Sequence, residues 1–138
     1  MQAFSGTLKK EELPDGRHAR LTEEFWYRDK KGNKHIAHKG FVYDGGSIPR
    51  FFWRVIGPPF TGKARYAYPI HDVECKRARD IALDTDPEMG EAFRKKADLT
   101  FIEMLEFLGV PWWKRRIMYR GVRLGAWNEK RKGWRIDK

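Results

Sequence analysis

The stretches Ala67-Tyr68-Pro69-Ile70-His71-Asp72-Val73-Glu74-Cys75 and Ala97-Asp98-Leu99-Thr100-Phe101-Ile102 decide the fold. Around the second, Asp98, Phe101, Leu105 and Leu108 fall at i, i+3, i+7 and i+10, one face of a helix. Asp98 therefore points where the apolar residues point, and an ionised carboxylate there is costly unless paired and hydrogen-bonded. Around the first, Ala67, His71, Cys75, Ala78 and Ala82 share a face whose small members let a second helix approach closely. His71 is the natural partner of Asp98, and an antiparallel helix pair brings the two together. The expected helices run over about 64–82, 88–108 and 113–127, the second stopping at Gly109 with Pro111 just beyond.

Upstream, the chain reads as β. Ala19, Leu21, Phe25 and Tyr27 sit at period two, with Glu23 as the exception; Asp29 to Asn33 is a turn cluster; and Ile36 to Tyr43 reads as a further strand. Residues 44–63 are irregular, with the turn chemistry Asp44-Gly45-Gly46-Ser47-Ile48-Pro49 and the cation-flanked aromatic run Arg50-Phe51-Phe52-Trp53-Arg54. A loop of that length in a compact domain is more often functional than accidental. The expectation is an α+β chain forming a single domain over 1–138. A small N-terminal antiparallel sheet (about 1–43) and the loop (44–63) precede a three-helix half with an antiparallel helix pair (64–127) and a loosely held basic tail (128–138).

The chain has 138 residues, with Lys plus Arg 29 against Asp plus Glu 19, a net charge of +10. That length supports one core, and no run approaches the ~20 apolar residues that span a bilayer. Met1 to Arg17 lacks the apolar centre of a signal peptide. The single cysteine, Cys75, excludes an intrachain disulfide and a multi-thiolate zinc site. A reducing cytoplasm is the expected compartment. Residues 111–138 hold ten Lys and Arg against Glu129 and Asp137, so +8 of the charge lies there, with four of the six tryptophans. Trp112 or Trp113 is expected in the core. On a helix Arg116, Arg120, Arg123 and Trp127 share one face. That face is either solvated or meets phosphates, of lipid head groups or of nucleic acid, and composition does not separate these.

Asp72 follows His71 by about 100° around its helix and points toward the irregular loop. Loop carbonyls turned inward at Gly45 and Gly46, with the Asp44 and Asp72 carboxylates, are the ligand chemistry of Ca²⁺. The residues equally allow plainer roles. Asp44 can open a turn, Asp98 can pair with Arg or Lys of the third helix, and Cys75 suits a small buried position. His35 and His38 lie on opposite sides of one strand, a poor metal pair.

Together, Asp44-Gly45-Gly46-Ser47, Ala67 to Asp72 and Ala97 to Ile102 resemble the phospholipase A2 fold, especially its bacterial and parvoviral capsid members. The resemblance implies an ester hydrolase with His71 as the base that deprotonates water and Asp98 as its orienter. It also implies Asp72 and the Asp44, Gly45 and Gly46 loop as ligands of Ca²⁺. That family usually has a tyrosine three residues after the aspartate, helping to hold the second aspartate; this chain has Cys75 there. Phe51, Phe52 and Trp53 would line the entrance for an acyl chain.

The order Gly40 to Trp53, Ala67 to Asp72, Ala97 to Phe101 and Met118 to Arg123 also looks like a bacteriophage and prophage family whose domain is of unknown function. It implies a phage origin, with a place in the host cytoplasm or the virion. Partners would be a phospholipid membrane surface, other phage proteins, or nucleic acid through the basic C-terminal segment. The alternatives to a hydrolase are a non-catalytic structural or accessory phage protein, a nucleic-acid-binding protein, and a metal-dependent phosphodiesterase using His71 and Asp72.

Overall fold

The computed structural model describes residues 3–44, 48–57 and 62–134, which form an α+β fold with strands first and helices after. Among these residues the strands are β1 (Lys10–Glu12), β2 (Ala19–Leu21), β3 (Phe25–Arg28), β4 (Lys34–Ala37) and β5 (Val42–Tyr43). They pair antiparallel in two sheets, β1-β2-β5 and β3-β4. The period-two pattern buries Ala19, Leu21, Phe25 and Tyr27 as expected. The chain leaves the ladder between Leu21 and Phe25, where Glu23 breaks the pattern, so these residues serve two sheets rather than the one small sheet expected. The expected strand over 36–43 is likewise divided. Gly40, at φ 90°, turns the chain between β4 and β5, a conformation that disfavours any side chain.

The segment expected to be irregular contains a 3₁₀ turn (Arg50–Phe52), a four-residue helix α1 (Trp53–Ile56) and a second 3₁₀ turn (Lys63–Tyr66). The last of these feeds α2 (Ala67–Asp84), which is followed by α3 (Pro87–Phe107) and α4 (Trp112–Arg131). Asp86 caps α3, accepting from the Glu88 N–H at 3.2 Å, with Pro87 at the first helical position. Gly109, at φ 80°, closes α3, and the Val110 N–H returns to the Leu105 carbonyl at 3.0 Å. Gly133 (φ 69°) and the Trp134 N–H, 2.8 Å from the Glu129 carbonyl, close α4 in the same way. Helix α4 thus runs past Trp127, and Trp134 is buried against the fold, so the loose tail expected from 128 does not begin there. Trp112 and Trp113, one of them expected in the core, are both exposed.

Helices α2 and α3 are antiparallel, as the wheel predicts. Ala67, His71, Cys75, Ala78 and Ala82 are buried on one side, and Asp98, Phe101 and Leu105 on the other. Gly90 makes the closest approach. A Cβ there would lie 2.5 Å from Ala82 Cβ and 2.7 Å from the Ala78 carbonyl. Phe25, Tyr27, Tyr68, Phe101, Leu105, Met118 and Val122 join sheets and helices in one core. Each such large apolar side chain contributes about 1.5–3 kcal/mol. None of the described helices is long and apolar enough to cross a membrane.

Candidate functional site

His71 on α2 meets Asp98 on α3 at 2.6 Å, Nε2 to Oδ1, and neither side chain is exposed (0%). The pairing nitrogen is Nε2, not the Nδ1 expected from the sequence. The imidazole lies against Phe101, with ring centroids 4.5 Å apart. The carboxylate is shared. Arg94 Nε, one turn earlier on α3, donates to Oδ1 at 3.0 Å, and Arg123 Nη1 from α4 donates to Oδ2 at 2.7 Å. Arg94 is itself buried, and its Nη1 and Nη2 donate to Glu129 Oε2 at 2.8 Å and to the Val122 carbonyl at 3.0 Å. Arg79 of α2 donates to the other Glu129 oxygen at 3.3 Å. Three helices are therefore tied by one ionic network. Burial pushes the Asp98 carboxyl up, but the His71 hydrogen bond and charge, with Arg94, outweigh it and hold it below the usual carboxylate range.

Cys75 Sγ lies 3.5 Å from His71 Nε2 and 3.7 Å from Nδ1. Burial pushes this thiol well above its ordinary value, so it is a neutral thiol rather than a nucleophile. His71, Cys75 and Asp98 each offer an atom within the span of a single ion. Two guanidiniums on Asp98 and a protonated sulfur oppose a cation there.

Asp72 does face the loop, its Oδ2 accepting from the Asp44 N–H at 3.3 Å. The Asp44 carboxylate lies 3.6 Å from His18 Nε2, and the opposite ring nitrogen of His18 is 2.6 Å from Asp15 Oδ2. Gly45 and Gly46 lie outside the described residues. Ca²⁺ takes six to eight oxygens. The described residues bring one carboxylate, Asp72, to the loop backbone and turn Asp44 toward His18, so they do not by themselves make up a calcium shell.

The aromatic run packs on α4. Phe52 and Ile48 lie over Gly121, where a Cβ would sit 3.6 Å and 3.0 Å from them. Trp53 carries the Arg50 guanidinium at 5.2 Å, and Phe51 stands exposed. The cationic face read on α4 divides. Arg123 turns inward to Asp98, a correction to its expected role in phosphate contact, because the buried carboxylate is the stronger partner for it. Arg116, Arg120 and Trp127 remain exposed, with Arg116 over Trp112 (5.9 Å) and Arg131 over Trp127 (5.3 Å).

Two features escape the sequence reading. Arg94 is one helical turn from Asp98 and Glu129 is one of two acids in a cationic segment, so both carried a signal. The second is a bridge in which His35 Nδ1 lies 2.7 Å from Glu74 Oε2 and Nε2 lies 2.8 Å from Asp29 Oδ2. The Glu74 hydrogen bond, against burial and aided by that of Asp29, pushes the His35 imidazole up to about 9.

The family model described as "Protein of unknown function (DUF1353)" matches residues 19–122, which take in His71, Asp72, Arg94 and Asp98 but stop short of Arg123 and Glu129. An uncharacterized protein of Sinorhizobium fredii (strain NBRC 101917 / NGR234), y4jT, is 34% identical over 102 residues, 74% of this chain and 27% of that protein. The chain thus spans about a quarter of the length of that relative. No solved structure matches it. With three quarters of its length under the family model, the chain belongs to the DUF1353 family.

Proposed function

We propose that the protein is a phage-encoded hydrolase of lipid esters, with His71 as general base and Asp98 as the residue that positions it. The observation carrying this reading is the 2.6 Å contact between His71 Nε2 and Asp98 Oδ1. A carboxylate there selects the tautomer with the proton on Nε2, which makes Nδ1 the nitrogen that accepts a proton. A water that gives its proton to Nδ1 attacks the ester carbonyl carbon. The tetrahedral adduct then expels the alcohol, which takes the proton back from the imidazolium. Asp72 lies on the loop side of this pair, where a cation such as Ca²⁺ would polarise the carbonyl if the loop completes its shell. The phage assignment rests on the four motifs in order.

The experiment is fatty-acid release from phospholipid vesicles with Ca²⁺ or with EDTA, by wild type and by Asp72→Asn. Release that Ca²⁺ stimulates and Asp72→Asn loses supports the reading. Equal release by both proteins in EDTA and in Ca²⁺ overturns the metal role, and no release above a protein-free control overturns hydrolysis.

A second reading is favoured by the fork on Asp98. A carboxylate bound by Arg94 and Arg123 has less charge left to stabilise an imidazolium, and complete burial suits a brace. On this reading the protein is a structural or accessory component of the phage, with its exposed C-terminal cations meeting another phage protein or nucleic acid. Its sign is a stable His71→Gln variant that supports phage production as wild type does.

A further inference from the structure

We propose that the groove between α3 and α4 docks the protein on an anionic phospholipid bilayer. The groove encloses about 670 Å³; Leu99, Ile102, Trp112 and Tyr119 line it, and Arg115, Arg116 and Arg120 supply its charge. No carboxylate is among its described lining residues. Leu99 and Trp112 are left 52% and 63% exposed, and Trp113 beside them is exposed too. An aliphatic side chain, a tryptophan and three guanidiniums thus open on the same seam.

The cations are placed rather than scattered. Arg115 Nη1 donates to the Val110 carbonyl at 2.7 Å, which holds it at the corner between the helices, and Arg116 lies over the Trp112 ring. Arg123, three residues beyond Arg120, donates to Asp98 instead and is not among the groove's lining residues.

The chemistry of the lining selects the partner. A single-stranded polynucleotide would satisfy the guanidiniums and stack on the aromatic rings, but it offers Leu99 and Ile102 nothing. A bilayer accommodates all three classes of side chain. Aliphatic groups enter the acyl boundary, Trp and Tyr sit at the interface, and Arg meets phosphate. Three cations without an acid select lipids of net negative charge over zwitterionic ones. The surface takes its partner from the lipid reading above, but His71 is not among its lining residues and binding is measured without turnover, so the two can fail separately.

The test is co-sedimentation of the whole chain, in EDTA, with vesicles of equal parts phosphatidylglycerol and phosphatidylcholine, against phosphatidylcholine alone. Partition into the anionic vesicles is expected to be at least about tenfold stronger. Each cation at such a surface is worth about fivefold (~1 kcal/mol), so Arg116→Gln with Arg120→Gln should weaken it roughly 30-fold. Leu99→Asp, at an exposed position, should weaken it with an unchanged melting temperature. Lys31→Gln with Lys39→Gln, an equal loss of charge at exposed positions of the N-terminal half, should leave it within about twofold. Three results overturn the surface: equal partition into neutral vesicles, an equal loss from the Lys31 and Lys39 pair, or tighter binding to an oligonucleotide at the same phosphate concentration. Normal vesicle binding without ester hydrolysis refutes the hydrolase alone. Hydrolysis with binding untouched by the groove variants refutes the groove alone.

Discussion

Replacing Asp98 by asparagine changes one oxygen to an amide nitrogen and removes one buried charge. In the native fold Oδ1 accepts from His71 Nε2 at 2.6 Å and from Arg94 Nε at 3.0 Å, while Oδ2 accepts from Arg123 Nη1 at 2.7 Å. An asparagine with its oxygen toward His71 and Arg94 sets its NH₂ against the Arg123 donor. Turned over, it sets the NH₂ against Arg94 Nε. Either orientation faces a donor with a donor, and two guanidiniums lose a counter-charge. Breaking a buried pair of this kind costs about 3–5 kcal/mol. For a chain of this size that lowers Tm by roughly 10–20 °C. Calorimetry at pH 7 measures it. The native carboxyl is held below its ordinary range, so its contribution is complete above the unfolded value near 3.9 and is lost as pH falls through the lower native value. The asparagine variant should therefore show a flatter acid limb than wild type. A loss under about 1 kcal/mol, or an unchanged acid limb, would refute the ionic network as the tie between the three helices.

Glu129→Gln should cost less, on the order of 1–2 kcal/mol, because the carboxylate is partly exposed and Arg94 keeps Asp98 and the Val122 carbonyl; urea unfolding checks it. Gly90→Ala should destabilise by about 1–3 kcal/mol despite the better helix propensity of alanine, since the new Cβ meets backbone atoms of α2 at 2.7 Å; a gain in Tm would contradict the packing. His35, raised to about 9, contributes stability that is complete below its unfolded value near 6.5 and is lost as pH climbs through about 9. A melting temperature that declines between pH 7 and 10 in wild type and stays flat in His35→Gln is the expected pattern.

How far the residues could be read depended on the range of the interaction. The helix pair was legible because one face of each helix carries its own periodicity. Small residues at 67, 75, 78 and 82 and an acid among Phe101 and Leu105 report burial without knowledge of the partner. The meeting of His71 with Asp98 follows from those two faces alone. The division into two sheets was not legible in the same way. Alternation from Ala19 to Tyr27 is interrupted at Glu23 alone, and it takes the pairing of β2 with β5 and of β3 with β4, fixed over longer range, to turn that break into a division between sheets. Arg123 was misplaced because a wheel shows which residues share a face but not which neighbour that face meets. The Asp29–His35–Glu74 bridge joins a turn, a strand and a helix, and no spacing within any one of them announces it. Arg94 was the nearest miss, since i to i+4 from Asp98 is a distance that helical geometry makes explicit.

The most direct measurement is single-turnover release of fatty acid from anionic vesicles by wild type and by His71→Gln, on samples with matched circular dichroism. Glutamine keeps an N–H for Asp98 but cannot hold a transferred proton. A base at His71 predicts release by wild type and a loss of at least about a hundredfold in the variant, the scale of general-base catalysis. Equal release by the two folded proteins, or none by either, would contradict it.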